Sequence, residues 1–232
     1  MKKIWLVALV YWLVMSTLCV WLYPCLISDT MSRYAPMADA LSRGDFFYAF
    51  HPRFCVLFSS LSGAVRYLTG LDGACSCQIV SFGFFSLSAV AVFALFRRVF
   101  GDGRVAWLGA ALTLVNAECF VFALDGLRDP CRTLALALCA LTFVGSAPWV
   151  LGLGLFLLVT LRTDLFLISG AILFAWCVWR LYLRDIKGMV LPIGFWSLGA
   201  AFEMYMTYVY TGYFLPGAQF IGIYQKLLGG AL

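Results

Sequence analysis

Long apolar stretches separated by short polar ones dominate the hydropathy pattern of this chain. A helix needs about 20 apolar residues to cross the hydrocarbon of a bilayer, so the pattern predicts several transmembrane helices. The apolar runs are residues 4–27, 74–96, 105–123, 130–146, 148–161, 165–179 and 189–210. They predict an all-α integral membrane protein with about seven transmembrane helices, of which the fifth and sixth are short.

The first apolar run follows Lys2 and Lys3 and therefore begins as a signal peptide does. A signal peptide has an apolar core of only about 7–15 residues, followed by a cleavage site of small residues. Residues 4–27 form a longer run, and no such cleavage site follows it. We therefore expect a retained first transmembrane helix.

Residues 54–70 are apolar but shorter than a usual span, and they include three serines and Arg66. If this stretch crossed the bilayer, the basic residues at 97–104 would lie outside. If it does not cross, those residues lie inside with Lys2 and Lys3, and the inside segments then hold half of the 16 basic residues. Their density of positive charge is about threefold higher than outside, as the positive-inside rule requires. We therefore predict an interfacial or re-entrant helix here.

Residues 28–73 then form one long first external loop, for which the pattern predicts helices lying in the membrane surface. Apolar residues recur at helical spacing from Met31 to Leu41, with Asp39 and Arg43 as an i,i+4 pair on the other face. Gly44 is placed to end this helix, and Asp45 to cap a second short one. The whole chain, 1–232, is predicted to be a single membrane domain without a separate soluble domain.

Composition and charge narrow the function classes. Hydrophobic residues make up 64% of the chain and charged residues 12%, whereas soluble domains are about a quarter charged. The net charge of +5 comes from basic residues scattered between apolar runs, so we expect membrane lipids and no nucleic acid as partners. Most of the nine cysteines fall in apolar runs. Cys75 and Cys77 form a C-x-C without a second pair, which favours a pair at the membrane edge over a zinc site.

Ionisable residues at membrane depth are costly and usually serve a function. On the predicted topology, Asp29, Asp129 and Arg162 lie on the same side of the membrane and converge at one outer mouth. A carboxylate there would serve as a general base or hold a metal, and an arginine would bind a phosphate through two hydrogen bonds. The other ionisable residues of interest are Arg53, Glu118, Asp125, Arg128, Arg132, Asp164 and Glu203.

Simpler explanations exist for each of these residues. Asp29 is also placed to start a helix, and Asp129 before Pro130 is typical of an N-cap. Two i,i+4 pairs are consistent with a solvated rim: Asp125 with Asp129, and Arg128 with Arg132. His51 is the only histidine, which argues against a histidine metal site or a catalytic triad. Glu203 sits mid-span in the last run, where hydrogen bonding to a neighbouring helix would explain it.

Several short segments occur in a characteristic order. They are Asp29-Thr30, then Tyr34, Ala38 and Leu41, then His51-Pro52-Arg53, Leu68-Thr69-Gly70, Leu95 to Gly101, and Leu127-Arg128-Asp129-Pro130. This order resembles the GT-C superfamily of membrane glycosyltransferases, specifically relatives of the protein O-mannosyltransferases and of the aminoarabinose transferase of lipid A. The resemblance extends to about residue 165, and residues 161–164 match the pattern more weakly.

The resemblance implies a site and a donor. By position, Asp29 is the catalytic aspartate, and Asp129 is the second acidic residue that assists it or helps to place a divalent cation. The lipid phosphate would be bound by Arg53 with His51, by Arg128 and by Arg162. The donor would be a polyprenyl-phosphate-linked sugar, and the acceptor a glycan, a lipid or a protein. The active site would face the external side of the plasma (inner) membrane.

Members of the superfamily usually continue with further transmembrane helices, which makes this chain either a minimal core or a truncated product. Two other classes of function stay open. One is a non-enzymatic polytopic membrane protein, such as an inactive core or an assembly partner. The other is a small transporter in which Glu118 and Glu203 line a path near the midplane.

Overall fold

A computed structural model describes residues 1–22, 29–45, 56–145, 147–161 and 165–211. Within these ranges the chain is helical and contains no strand, as the hydropathy pattern predicts. The helices are α1 (Lys2–Leu22), a π-helical segment (Thr30–Tyr34), α2 (Ala35–Ser42), α3 (Val56–Thr69), α4 (Gly73–Phe100), α5 (Gly103–Leu114), α6 (Ala117–Leu124), α7 (Asp129–Phe143), α8 (Pro148–Leu161), α9 (Leu165–Tyr182) and α10 (Lys187–Thr211).

Four helices in the described ranges are long and apolar enough to cross a membrane: α1, α4, α9 and the Lys187–Met206 part of α10. A fifth span results if α5 and α6, which meet at an angle of 47°, are counted together. Large apolar side chains face outward from these helices, including Leu6 (62% exposed), Leu167 (79%) and Phe174 (71%). Soluble proteins rarely expose such faces, and this is the architecture of a multi-pass helical membrane protein.

The break between α5 and α6 corrects the prediction of one continuous helix over residues 105–123. Asn116 caps α6, because its side-chain oxygen accepts a hydrogen bond from the Cys119 N–H at 2.8 Å. The Tyr11 hydroxyl donates to the Leu114 carbonyl at 3.2 Å and so satisfies a backbone group that the break leaves free. Asparagine competes with the helix in this way, and a neighbouring side chain re-satisfies the freed carbonyl.

The described parts of the predicted first external loop, called the first loop below, pack against the start of α4. Helix α3 has 14 residues and a length of about 21 Å, which is shorter than the hydrocarbon core. Helix α8 has the same length, so the prediction that α3 does not cross stays a prediction. Gly44 has a φ of +79° just after α2, as predicted for a helix end. The predicted pairing of Asp39 with Arg43 is wrong, because Asp39 pairs instead with Arg66 of α3 at 2.7 Å. The predicted cap by Asp45 concerns residues 46–50, which lie outside the described ranges.

Helix α4 is the centre of the fold and contacts α1, α3, α5 and α7. Its buried rings, Phe82 and Phe85, pack with residues of α1 and α6. Helix α8 lies between α7 and α10 and buries Leu151, Leu155 and Leu158. One end of the bundle is formed by the first loop, the α6–α7 turn and the start of α4.

Candidate functional site: a charged mouth at one end of the bundle

The turn between α6 and α7 is held by side chains from other elements. Thr30 donates a hydrogen bond to the Asp125 carbonyl at 2.5 Å, and Gln78 of α4 donates to the Leu124 carbonyl at 2.6 Å. Ser81, one turn further along α4, donates to the Leu127 carbonyl. The bond from Thr30 joins the first loop to the 124–129 turn, and the other two hold the turn against α4. We call this region, residues 29–34 and 124–132, the mouth.

Gly126 makes this close approach possible. Its φ of +66° lies in the left-handed region, which glycine adopts without strain. A Cβ at this position would lie 3.1 Å from the Cys77 Cβ, 3.2 Å from the Gln78 amide nitrogen and 3.3 Å from the Thr30 methyl carbon. The turn therefore needs glycine for its conformation and for its packing on α4.

The two predicted catalytic carboxylates both lie at the mouth, and each is paired with an arginine of its own helical segment. Asp29 pairs with Arg33 at 3.0 Å, and its side chain is 49% exposed. Asp129 lies 3.7 Å from Arg132, and its side chain is 22% exposed. Both carboxylates are therefore accessible to a molecule that enters the mouth.

The N-cap explanation of Asp129 is wrong in its simple form. Helix α7 begins at Asp129, so the cap position falls on Arg128, where no side-chain capping bond forms. A carboxylate in the first turn still interacts favourably with the positive end of the helix.

Arg128 lies between the two segments of the mouth. Its guanidinium carbon is 5.7 Å from the centre of the Tyr34 ring, within the range of a cation–π interaction. The side chain is half-buried. Its predicted role in binding an anion stays a prediction.

Asp125 departs from its prediction as part of a solvated rim. The residue is only 3% exposed, because the turn is pressed against α4 and the first loop. This burial raises the pKa of the Asp125 carboxyl above its ordinary value. Asp129 and Arg132, one residue from each predicted rim pair, meet in an ion pair.

Glu203 is closer to the mouth than the sequence indicated. Helices α8 and α10 run in the same direction, since Gly152 lies against Phe195 and Gly199 lies against Phe156 and Val159. Glu203 is one turn beyond Gly199 and therefore level with the carboxyl end of α8.

The position of Glu203 relative to the mouth follows from the packing of α7 against α8. Gly154 of α8 contacts Ala135 and Cys139 of the antiparallel α7, so the carboxyl end of α8 is level with the first turn of α7. The prediction that Glu203 sits mid-span is therefore wrong. The missed signal was its distance from Lys187, which is about 24 Å along a helix and close to the full hydrocarbon thickness.

Three predicted binding residues, His51, Arg53 and Arg162, lie outside the described residues. The described part of the chain contains no group of three or more metal-ligating side chains, and the seven cysteines within it form no disulfide with one another. Asp29 and Asp129 each face an arginine. The possible divalent cation at Asp29 and Asp129 therefore stays a prediction, and we derive no step through one.

Comparisons of this chain with known protein families, curated proteins and solved structures give no match.

Proposed function

We propose that the chain is a membrane glycosyltransferase with a GT-C core, which transfers a sugar from a polyprenyl-phosphate carrier to a glycan, lipid or protein acceptor on the external face. The observation that carries the proposal is the meeting of carboxylates and arginines at one end of an apolar helical bundle. Seven spans result if the bent α5–α6 pair counts as one and the shorter α7 and α8 also cross.

The chemistry of the donor explains why such a site needs arginine. A polyprenyl phosphate keeps its chain in the hydrocarbon and its phosphate at the membrane edge, where lipid cannot neutralise the charge. Arg128, half-buried beside Tyr34, supplies a fixed positive charge at this level. The planar guanidinium can donate hydrogen bonds to two phosphate oxygens at once. Arg53 and Arg162 are proposed to complete the phosphate site.

Asp29 is proposed as the general base. It would accept the proton of the acceptor hydroxyl while that oxygen forms a bond to the anomeric carbon. The bond between the anomeric carbon and the phosphate oxygen breaks in the same step, and polyprenyl phosphate leaves with the electron pair. Arginine neutralises the departing charge, and the single displacement inverts the anomeric configuration. Asp129 would orient the acceptor or assist this proton transfer.

The position of Glu203 bears on the transporter alternative. A transporter gathers its charged groups near the midplane, whereas Glu203 lies level with the first turn of α7. The described charges therefore favour a reaction at the membrane surface over a path through its centre.

Deletion of the gene and complementation test the proposal. Mass spectrometry of lipids and glycans should reveal a glycolipid or glycan that the deletion loses and the parent gene restores. Asp29→Asn should fail to restore it. Asp72→Asn is the matched control, because Asp72 accepts a hydrogen bond from the Cys75 N–H at 2.7 Å as an N-cap, which asparagine also provides. Full restoration by Asp29→Asn would refute the catalytic role.

A further inference from the structure

Tyr34 is an aromatic residue of the mouth that the proposed reaction leaves without a role. The residue ends the π-helical segment of the first loop and is 4% exposed. The guanidinium carbon of Arg128 lies 5.7 Å from the centre of the Tyr34 ring. This contact joins the first loop to the residue that directly precedes α7.

The Tyr34 ring is itself fixed by its surroundings. Its centre lies 5.5 Å from the centre of the Phe58 ring of α3, and the two rings meet edge to face at 77°. Aromatic pairs favour this geometry, and Phe58 is fully buried. Tyr34 and Phe58 belong to one apolar cluster with Ala38 of α2. Tyr34 therefore offers Arg128 a ring that surrounding side chains hold in place.

An aromatic ring suits an arginine that has to bind an anion. The negative face of the ring attracts the positive charge of a guanidinium, and it brings no carboxylate that would compete with a phosphate for the N–H groups. An arginine side chain in water samples many rotamers. Restricting it before the anion arrives reduces the entropy that binding costs. The ring contact of half-buried Arg128 meets both requirements.

We propose that Tyr34 is a positioning residue, whose ring holds the Arg128 guanidinium by a cation–π interaction and so prepares it for the phosphate of the lipid donor. The identity of this anion rests on the proposed function. The contact between ring and guanidinium is a property of the protein without a ligand. Tyr34 acts through Arg128 and does not touch the reacting atoms.

Stepwise fluorination of the ring tests this interaction. Nonsense suppression replaces Tyr34 by phenylalanine and by phenylalanines that carry one, two or three ring fluorines. Fluorine withdraws electrons from the ring face and weakens its attraction for a cation, whereas the shape of the ring changes little. If Tyr34 served only in packing, the properties of Arg128 would therefore stay nearly constant along the series.

The rate at which phenylglyoxal modifies Arg128 reports how firmly the guanidinium is held, and peptide mapping of the purified protein measures it. The reagent attacks the neutral guanidinium, and the ring favours the charged form. The Arg128 rate should rise with each added fluorine, by at least about threefold from Tyr34→Phe to the trifluorinated ring. Arg132, whose side chain is 41% exposed, is the internal reference and should keep its rate.

The same fluorination at Phe85 is the matched control. Phe85 is a fully buried ring of α4 that packs edge to face with Tyr11, at 5.9 Å between ring centres. Its fluorination should leave the Arg128 rate unchanged. An Arg128 rate that is the same along the whole Tyr34 series, or that rises equally in the Phe85 series, would overturn the positioning role.

A second arm measures binding of a C55 polyprenyl phosphate to the protein in nanodiscs. The lipid should protect Arg128 of the parent from the reagent, and its apparent affinity should fall at least about threefold from Tyr34→Phe to the trifluorinated ring. A constant affinity with a rising Arg128 rate would overturn the role of Tyr34 in preparing Arg128 for the phosphate. If the lipid fails to protect Arg128 of the parent while the rate still follows fluorination, the proposed donor is wrong and the positioning of Arg128 stands.

Discussion

The substitution Gly126→Ala tests how the 124–129 turn is fixed against α4. Two costs add at this position. An alanine with a φ of +66° is strained by roughly 1–2 kcal/mol relative to glycine. Its Cβ would also lie 3.1 Å from the Cys77 Cβ and 3.2 Å from a backbone nitrogen of α4, and overpacking of this kind costs about 1–3 kcal/mol. We expect the free energy of unfolding to fall by about 2–5 kcal/mol.

Gly101→Ala is the matched control. Gly101 has a φ of +71°, and a Cβ there would have no neighbour within 4 Å. This variant carries the same backbone strain without the overpacking, so it should lose only about 1–2 kcal/mol. Equilibrium unfolding of both variants by SDS in mixed micelles measures the difference. Gly126→Ala should also reduce donor turnover, because the turn carries Arg128, and Gly101→Ala should not. Equal losses of stability in the two variants would refute the close packing of the turn.

Three further predictions concern topology and the acidic residues. Single cysteines at positions 29 and 72, in a background without reactive native thiols, should be labelled from one side of the membrane, and a cysteine at position 101 only from the other; opposite labelling of 29 and 72 would overturn the topology. Asp125→Asn should stabilise the protein at pH 7, because burial raises the pKa of Asp125 and disfavours its ionised form in the folded state. In unfolding measurements this gain in stability should vanish as the pH falls below the ordinary pKa of 3.8, and a gain independent of pH would contradict the prediction. Asp129→Asn should reduce donor turnover at least about tenfold. Stability should change by less than about 1 kcal/mol, because the partly exposed ion pair of Asp129 contributes little. Turnover within twofold of the parent would exclude Asp129 from the site.

The sequence predicts the coarse fold because hydropathy reports lipid exposure directly. The apolar runs identify α1, α4, α9 and α10, and Gly44 correctly marks the end of α2. The break at Asn116 was missed because the surrounding residues are apolar, and the capping bond depends on local geometry that hydropathy does not record. The partner of Asp39 was missed because Arg66 approaches it only after α2 and α3 pack together.

The site was predictable in part. Asp29, Arg128 and Asp129 could be picked out in the sequence as ionisable residues beside apolar runs, and the hydrogen bond from Thr30 to the Asp125 carbonyl brings their segments together. The burial of Asp125 and the level of Glu203 depend on how α4, α7, α8 and α10 pack. Such relations join residues far apart in sequence, and a single sequence carries no direct signal for them.

Release of polyprenyl phosphate from a lipid-linked sugar is the direct test of the proposed sugar transfer. The purified protein in proteoliposomes is given a panel of polyprenyl-phosphate sugars with a crude glycolipid and peptide acceptor fraction, and the released carrier lipid is measured by mass spectrometry. We expect the parent protein to release the carrier lipid from at least one donor. The rate of release should fall at least about a hundredfold in Asp29→Asn and should be unchanged in Asp72→Asn. Release by Asp29→Asn at the parent rate, or no release by the parent with any donor of the panel, would contradict it.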